Sequence, residues 1–129
     1  MQYTTLGRTG LKVSVAGLGG GGSSRLGIAK HGKAHASKMV RAALDLGINL
    51  IDNARGYGTE EAVGDALVGL PRDSYVLTTK HLTIVEGRTL TPEELVAGFN
   101  ESLRALRTDY VDVFYIHGLT LARWDHAID

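Results

Sequence analysis

Asp52, Tyr57, Lys80 and His117 are the side chains of this sequence whose types and placement suit acid–base chemistry at a single site. A phenol ionises near about pH 10 and so carries its proton at neutral pH, which fits Tyr57 to act as a general acid. A neighbouring cation stabilises the phenolate left behind, and Lys80 is the cation at hand. A buried lysine in turn needs a counter-charge, for which Asp52 is the natural choice. His117 can donate a hydrogen bond to a carbonyl oxygen, polarising and orienting it. In the opposite direction the same tyrosine, as a phenolate, takes the proton back.

Such a set works only if the fold gathers it. Asp52 closes the run Asn49-Leu50-Ile51-Asp52, and Tyr57 follows in the turn Gly56-Tyr57-Gly58. Lys80 closes Tyr75 to Lys80, and His117 closes Val111 to His117. If these runs are parallel strands, all four side chains meet at the C-terminal mouth of one sheet.

The intervening pattern supports that arrangement. Gln2 to Leu6 and Lys12 to Val15 flank Gly7-Arg8-Thr9-Gly10 and predict a β-hairpin. A first buried strand shares the apolar run Val13 to Leu18, which ends in Gly19 to Gly22, and residues 23–35 read as a long loop. A helix is expected from Ala36 to Leu46, with Met39, Val40, Ala43 and Leu44 on one face and Gly47 as its stop. Strand Ile48 to Ile51 follows, then a helix from Thr59 with Glu60 and Glu61 in its first turn, ending near Gly69-Leu70-Pro71. After strand Tyr75 to Thr79 comes a loop and a strongly signalled helix, with Thr91 as cap, Pro92 at its first position and Glu93-Glu94 behind. Its apolar positions Leu95, Phe99, Leu103 and Leu106 recur at helical spacing, and strand Tyr110 to Ile116 closes the series. Strands apolar throughout predict a parallel sheet covered by helices, and their spacing of roughly 30 residues is that of a βα unit. Four such units follow one another with no composition shift, so residues 1–129 read as one α/β domain.

Two folds meet this description, a doubly wound sheet and half of a (β/α)8 barrel. Gly17, Gly19 and Gly22 match G-x-G-x-x-G, and Asp52 ends the next strand. A dinucleotide fingerprint requires the helix to open at the third glycine and the acid about 20 residues on. Here the non-helical residues 23–35 intervene and the acid lies 30 residues beyond Gly22, which favours the half-barrel.

Composition narrows the remaining classes. The chain is 43% hydrophobic and 22% charged, which reads as soluble and globular. Its 14 basic and 14 acidic residues cancel without a basic cluster, which argues against nucleic acid or an anionic membrane as partner. With no cysteine, disulfides and thiolate metal sites are excluded. The N-terminus lacks a signal-peptide core, and no apolar run nears the roughly 20 residues of a membrane span, so a cytoplasmic location is expected.

The segment Ile51-Asp52-Asn53-Ala54-Arg55-Gly56-Tyr57-Gly58-Thr59-Glu60-Glu61 resembles the D-x-A-x-x-Y-G signature of the aldo-keto reductases. Thr78-Thr79-Lys80 resembles that family's lysine strand, Val111 to His117 its D-x-x-x-x-H strand, and Leu6 to Ser14 its N-terminal hairpin. The resemblance implies the N-terminal half of a (β/α)8 TIM barrel: about four βα units behind a hairpin. It implies Asp52, Tyr57, Lys80 and His117 as catalytic positions, and hydride transfer between a nicotinamide cofactor and a small carbonyl or alcohol substrate. NADPH is the expected cofactor, with NADH possible, and Gly20, Gly21 and Asp52 the expected cofactor-binding positions. Because the cofactor carries the hydride, neither a metal nor a protein nucleophile is expected. Gly20-Gly21 departs from the threonine and bulkier residue of many relatives. In the family, the loops that hold most of the cofactor follow later strands.

The chain therefore reads as a truncated reading frame whose isolated activity is low. Self-association, or a separate complementary C-terminal half, would complete it. A non-catalytic interaction module is the alternative. Leu121, Trp124 and Ile128 read as the opening of a fourth helix. Arg55 is a candidate substrate contact at the same mouth. His81 is expected to point to the other side of its strand and to be structural. His31 and His35 have helical spacing but no nearby acid to complete a zinc site, and His126 has no evident partner.

Overall fold

The computed structural model describes residues 1–120. Tyr3–Thr5 (β1) and Lys12–Ser14 (β2) form the expected antiparallel hairpin, followed by Gly17–Gly19 (β3). A short turn of helix, Ile28–His31 (α1), and Lys33–Asp45 (α2) lead to Leu50–Asp52 (β4). Glu60–Leu67 (α3) connects to Val76–Leu82 (β5). A small hairpin of Ile84–Val85 (β6) and Arg88–Thr89 (β7) precedes Pro92–Leu106 (α4) and Val113–His117 (β8).

The central sheet is parallel, with strand order β3-β4-β5-β8. Each strand joins on the same side as the last. A doubly wound sheet reverses direction at its switch point, so this order is that of a barrel being built strand by strand. Ile51 and Leu77 are register partners at the sheet's middle, and both are fully buried. They pack with Val40 of α2, Val63, Ala66 and Leu67 of α3, and Leu106 of α4 in one core. Where α3 meets α4, a Cβ at Gly64 would stand 2.3 Å from the Ala105 carbonyl oxygen, so only glycine permits that approach. The hairpin is fixed to the foot of the sheet through Asn49, whose Oδ1 accepts from Ser14 N at 2.7 Å and whose Nδ2 donates to Lys12 O at 3.0 Å.

The structure revises several boundaries. Residues 23–35 are not a plain loop. They contain a 3-10 turn at Arg25–Gly27, all of α1 and the start of α2. Gly27 and Gly32, both at positive φ, cut this stretch into pieces too short to show a period. Strand β5 runs on to Leu82, because its end pairs with β8 in the register Lys80↔Tyr115 and Leu82↔His117, so Lys80 does not close its strand. Strand β8 begins at Val113 rather than Tyr110. The β6–β7 hairpin turns through Glu86 and Gly87, both at positive φ, a glycine turn flanked by Ile84, Val85 and Thr89. The fourth helix suggested by Leu121, Trp124 and Ile128, and likewise His126, lie outside the described residues.

The start of α4 is as expected. Thr91 Oγ1 accepts from Glu94 N, and the Glu94 carboxylate accepts from Thr91 N, a complete capping box. Arg88 adds two hydrogen bonds to the same carboxylate at 2.8 Å each. The Arg88 guanidinium, followed by the Thr91 amide, holds the Glu94 carboxyl down at about 2 against an ordinary 4.5. A carboxyl depressed in the folded state stabilises above its unfolded value and loses that contribution as pH falls through the folded one. Glu94→Gln is therefore expected to lower the melting temperature at neutral pH. The gap to the parent chain should close between about pH 4.5 and 2, which melts across that range will check.

Candidate active site

Asp52 stands at the C-terminal end of β4, and Thr78 and Lys80 alternate onto the same face of β5. Lys80 Nζ donates to Asp52 Oδ1 and Oδ2 at 2.7 Å each and to Asn53 O at 2.7 Å. Three acceptors thus engage the three protons of the ammonium. Thr78 Oγ1 donates to Asp52 Oδ1 at 2.8 Å and holds the carboxylate from below. The Lys80 side chain is 16% exposed and that of Asp52 42% exposed. A pair screened to this degree contributes little to stability. Its effect is to fix where the cation stands.

Tyr57 ends the 3-10 turn Arg55–Tyr57, which Gly58 closes at φ 70°. The Lys80 ammonium lies over its ring, 5.1 Å from the centroid, and the Tyr57 hydroxyl makes no hydrogen bond among the described residues. His117, the last residue of β8, meets the same ring edge-on with centroids 5.5 Å apart. The four candidate residues, drawn from β4, the turn after it, β5 and β8, are therefore gathered at one mouth.

Gly20 and Gly21 border this group. Gly20 N donates to Asp52 O at 2.8 Å. A Cβ at Gly20 would lie 2.7 Å from Asn53 Oδ1, and one at Gly21 would lie 2.7 Å from the Tyr57 ring. Bare backbone here lets the phenol occupy its place. Behind it, fully buried Asn53 accepts from Ala54 N and from Thr59 Oγ1, each at 2.9 Å. Asn53 Nδ2 is buried without a hydrogen-bond partner among the described residues. On the outer face of β5, Thr79 Oγ1 donates to the buried Glu60 carboxylate at 2.7 Å and ties α3 to the strand beside Lys80.

The sequence reading overlooked Thr78, Asn53 and the Thr79–Glu60 contact. Counting back two residues from Lys80 along the pleat would have found Thr78. Asn53 and Glu60 act through burial, which no local pattern marks.

Arg55 does not reach into the mouth. It pairs with Glu101 and donates to Gly98 O at 3.4 Å, which commits it to α4. His81 faces the other side, with its ring against Gly98, where a Cβ would be only 2.4 Å from Nε2. The rings of His31 and His35 lie 4.7 Å apart. No cluster of three or more His, Cys, Asp or Glu suited to a metal ion occurs among the described residues. Nor is any helix among them long and apolar enough to cross a membrane.

The family model described as "Aldo/keto reductase family" matches residues 17–122. L-galactose dehydrogenase of Arabidopsis thaliana is 34% identical over 135 residues, covering 99% of this chain and 41% of that protein. Methylglyoxal reductase DkgB of Salmonella typhi is 41% identical over 80 residues, covering 60% of this chain and 28% of its own length. Among solved structures, the holo form of the aldo-keto reductase AKR11C1 from Bacillus halodurans superimposes with a TM-score of 0.75 at 30% identity. That match covers 95% of this chain and 42% of the other. The chain thus spans less than half the length of each of these relatives.

Proposed function

The chain belongs to the aldo/keto reductase family, and from that premise we propose that it carries the acid–base site of an NADPH-dependent oxidoreductase acting on a small carbonyl or its alcohol. Tyr57 gives its proton to the oxygen that becomes the hydroxyl, and takes it back in the oxidative direction. Lys80 holds a positive charge over the phenol ring and favours the phenolate that forms. Asp52, steadied by Thr78, fixes that charge in place. His117 lies against Tyr57, where its imidazole can share the substrate oxygen and orient it.

When bound, the reduced nicotinamide supplies the hydride. The residues present suit its reacting end: a phenol without a hydrogen-bond partner among the described residues, an imidazole edge, and the bare Gly20-Gly21 backbone beside them. Gly20, Gly21 and Asp52 are the positions proposed to line it. NADPH is the preferred form in this reading, with NADH a poorer one. The names of the relatives point to sugars and small aldehydes as the substrate class.

The observation that carries the reading is the Lys80 ammonium, held by three hydrogen bonds and set over a tyrosine whose hydroxyl has no hydrogen-bond partner among the described residues. Following NADPH absorbance with methylglyoxal and with an open-chain sugar aldehyde tests it. Slow, substrate-dependent consumption of NADPH is expected from this chain. Absence of both consumption and cofactor binding, with NADPH and with NADH alike, would overturn the proposal.

A further inference from the structure

Lys80 lies over two rings, not one. Besides Tyr57, its ammonium stands 5.8 Å from the centroid of Tyr115. Both distances fall within the range at which the negative face of an aromatic ring attracts a cation. The approach follows from the sheet. Tyr115 is the register partner of Lys80 across β5 and β8, and paired residues project from the same face. Tyr115 therefore shares the inner face with Lys80 and with His117, two residues further along its own strand.

We propose that Tyr115 is a positioning residue of this site, its ring forming with that of Tyr57 an aromatic cradle for the Lys80 ammonium. The three hydrogen bonds to Asp52 and Asn53 fix the ammonium on one side. They leave the Lys80 side chain 16% exposed, and Asp52 is itself 42% exposed. The Tyr115 ring covers part of what is left. It limits hydration of the cation and so strengthens its field at the Tyr57 ring. The face of the ring does this, so phenylalanine should serve as well as tyrosine, whereas leucine covers area without the π face.

The inference rests on the reading of Lys80 as the partner of Tyr57, and its first test needs no turnover. Protons on the Lys80 ε-carbon, held between two rings, should resonate upfield of those of Lys30, Lys33 and Lys38 in the NMR spectrum of ε-13C-lysine-labelled chain. An NOE should link them to the Tyr115 ring. Y115F should keep this shift, and Y115L should move it toward the position of the other lysines. In NADPH-dependent reduction, Y115L should lower kcat about three- to fivefold with little change in KM, and Y115F should restore it.

An unshifted Lys80 resonance in Y115L would overturn the proposal. Absence of the NOE in the unaltered chain would do so even if Y115L failed to fold. A Lys80 resonance that moves in Y115L, in a chain that reduces no carbonyl, would leave the cradle standing and remove the functional reading beneath it.

Discussion

Tyr57→Phe is expected to slow NADPH-dependent carbonyl reduction by roughly 10²–10⁴-fold while leaving the melting temperature and cofactor affinity close to those of the parent chain. The hydroxyl makes no hydrogen bond among the described residues, so its removal leaves no protein group unsatisfied. The ring remains to meet His117 edge-on at 5.5 Å and to receive the Lys80 ammonium at 5.1 Å. Only the proton is lost. The contrast with Lys80→Met sharpens this. Deleting the ammonium strips Asp52 of its partner and frees Asn53 O, so that variant should lose activity together with local order. Steady-state kinetics on both variants beside thermal melts separates the two effects. A Tyr57→Phe chain with more than a tenth of the parent rate would show that the phenol is not the acid.

The gathering of this site was legible because chemistry and period coincide at its residues. Asp52 and His117 end their strands, and Tyr57 lies between two glycines just past β4. The capping box of α4 was equally plain, since Thr91, Pro92 and Glu94 each have a local steric or hydrogen-bonding reason to sit at a helix start. What could not be read is what depends on a distant partner. The extension of β5 to Leu82 comes from pairing with β8. Arg55 turns toward α4 because Glu101 and the Gly98 carbonyl wait there. Residues 23–35 show no period and so read as a loop, because Gly27 and Gly32 divide that stretch into helical turns too short to reveal one. Gly20 and Gly21 read as positions where a cofactor approaches. The structure adds the Tyr57 ring and Asn53 as atoms that exclude a Cβ.

At the other end of the sheet, Arg72→Leu is expected to destabilise the chain by about 3–5 kcal/mol, a large part of the ~5–15 kcal/mol that holds a domain folded. Arg72 Nη2 pairs with Asp112 Oδ2 at 2.7 Å, with side chains 20% and 12% exposed, so this pair is better shielded than Lys80–Asp52. The guanidinium also donates to Tyr75 O at 3.1 Å and Tyr110 O at 3.3 Å, and stacks 4.9 and 3.9 Å from the centroids of their rings. Burial pushes the Tyr75 phenol up and the nearby Arg72 charge draws it back. Asp112 meanwhile accepts from Leu77 N at 2.7 Å, which joins the segment leading into β8 to the start of β5. Leucine would leave that carboxylate shielded from water with a single amide for company, an uncompensated charge. Lysine keeps the charge but neither the fork nor the stacking, so Arg72→Lys should fall between. Adding Asp112→Asn to Arg72→Leu should recover part of the loss, since the stranded charge goes with it. Urea titrations of these variants measure each step, and an Arg72→Leu chain within about 1 kcal/mol of the parent would sink the assignment. The consequence reaches the mouth. The β5–β8 register that this contact anchors at the foot also places Tyr115 beside Lys80 and His117 beside Leu82. A chain weakened at Arg72 should therefore lose activity at lower urea than it loses helix, as β8 and its histidine come away first.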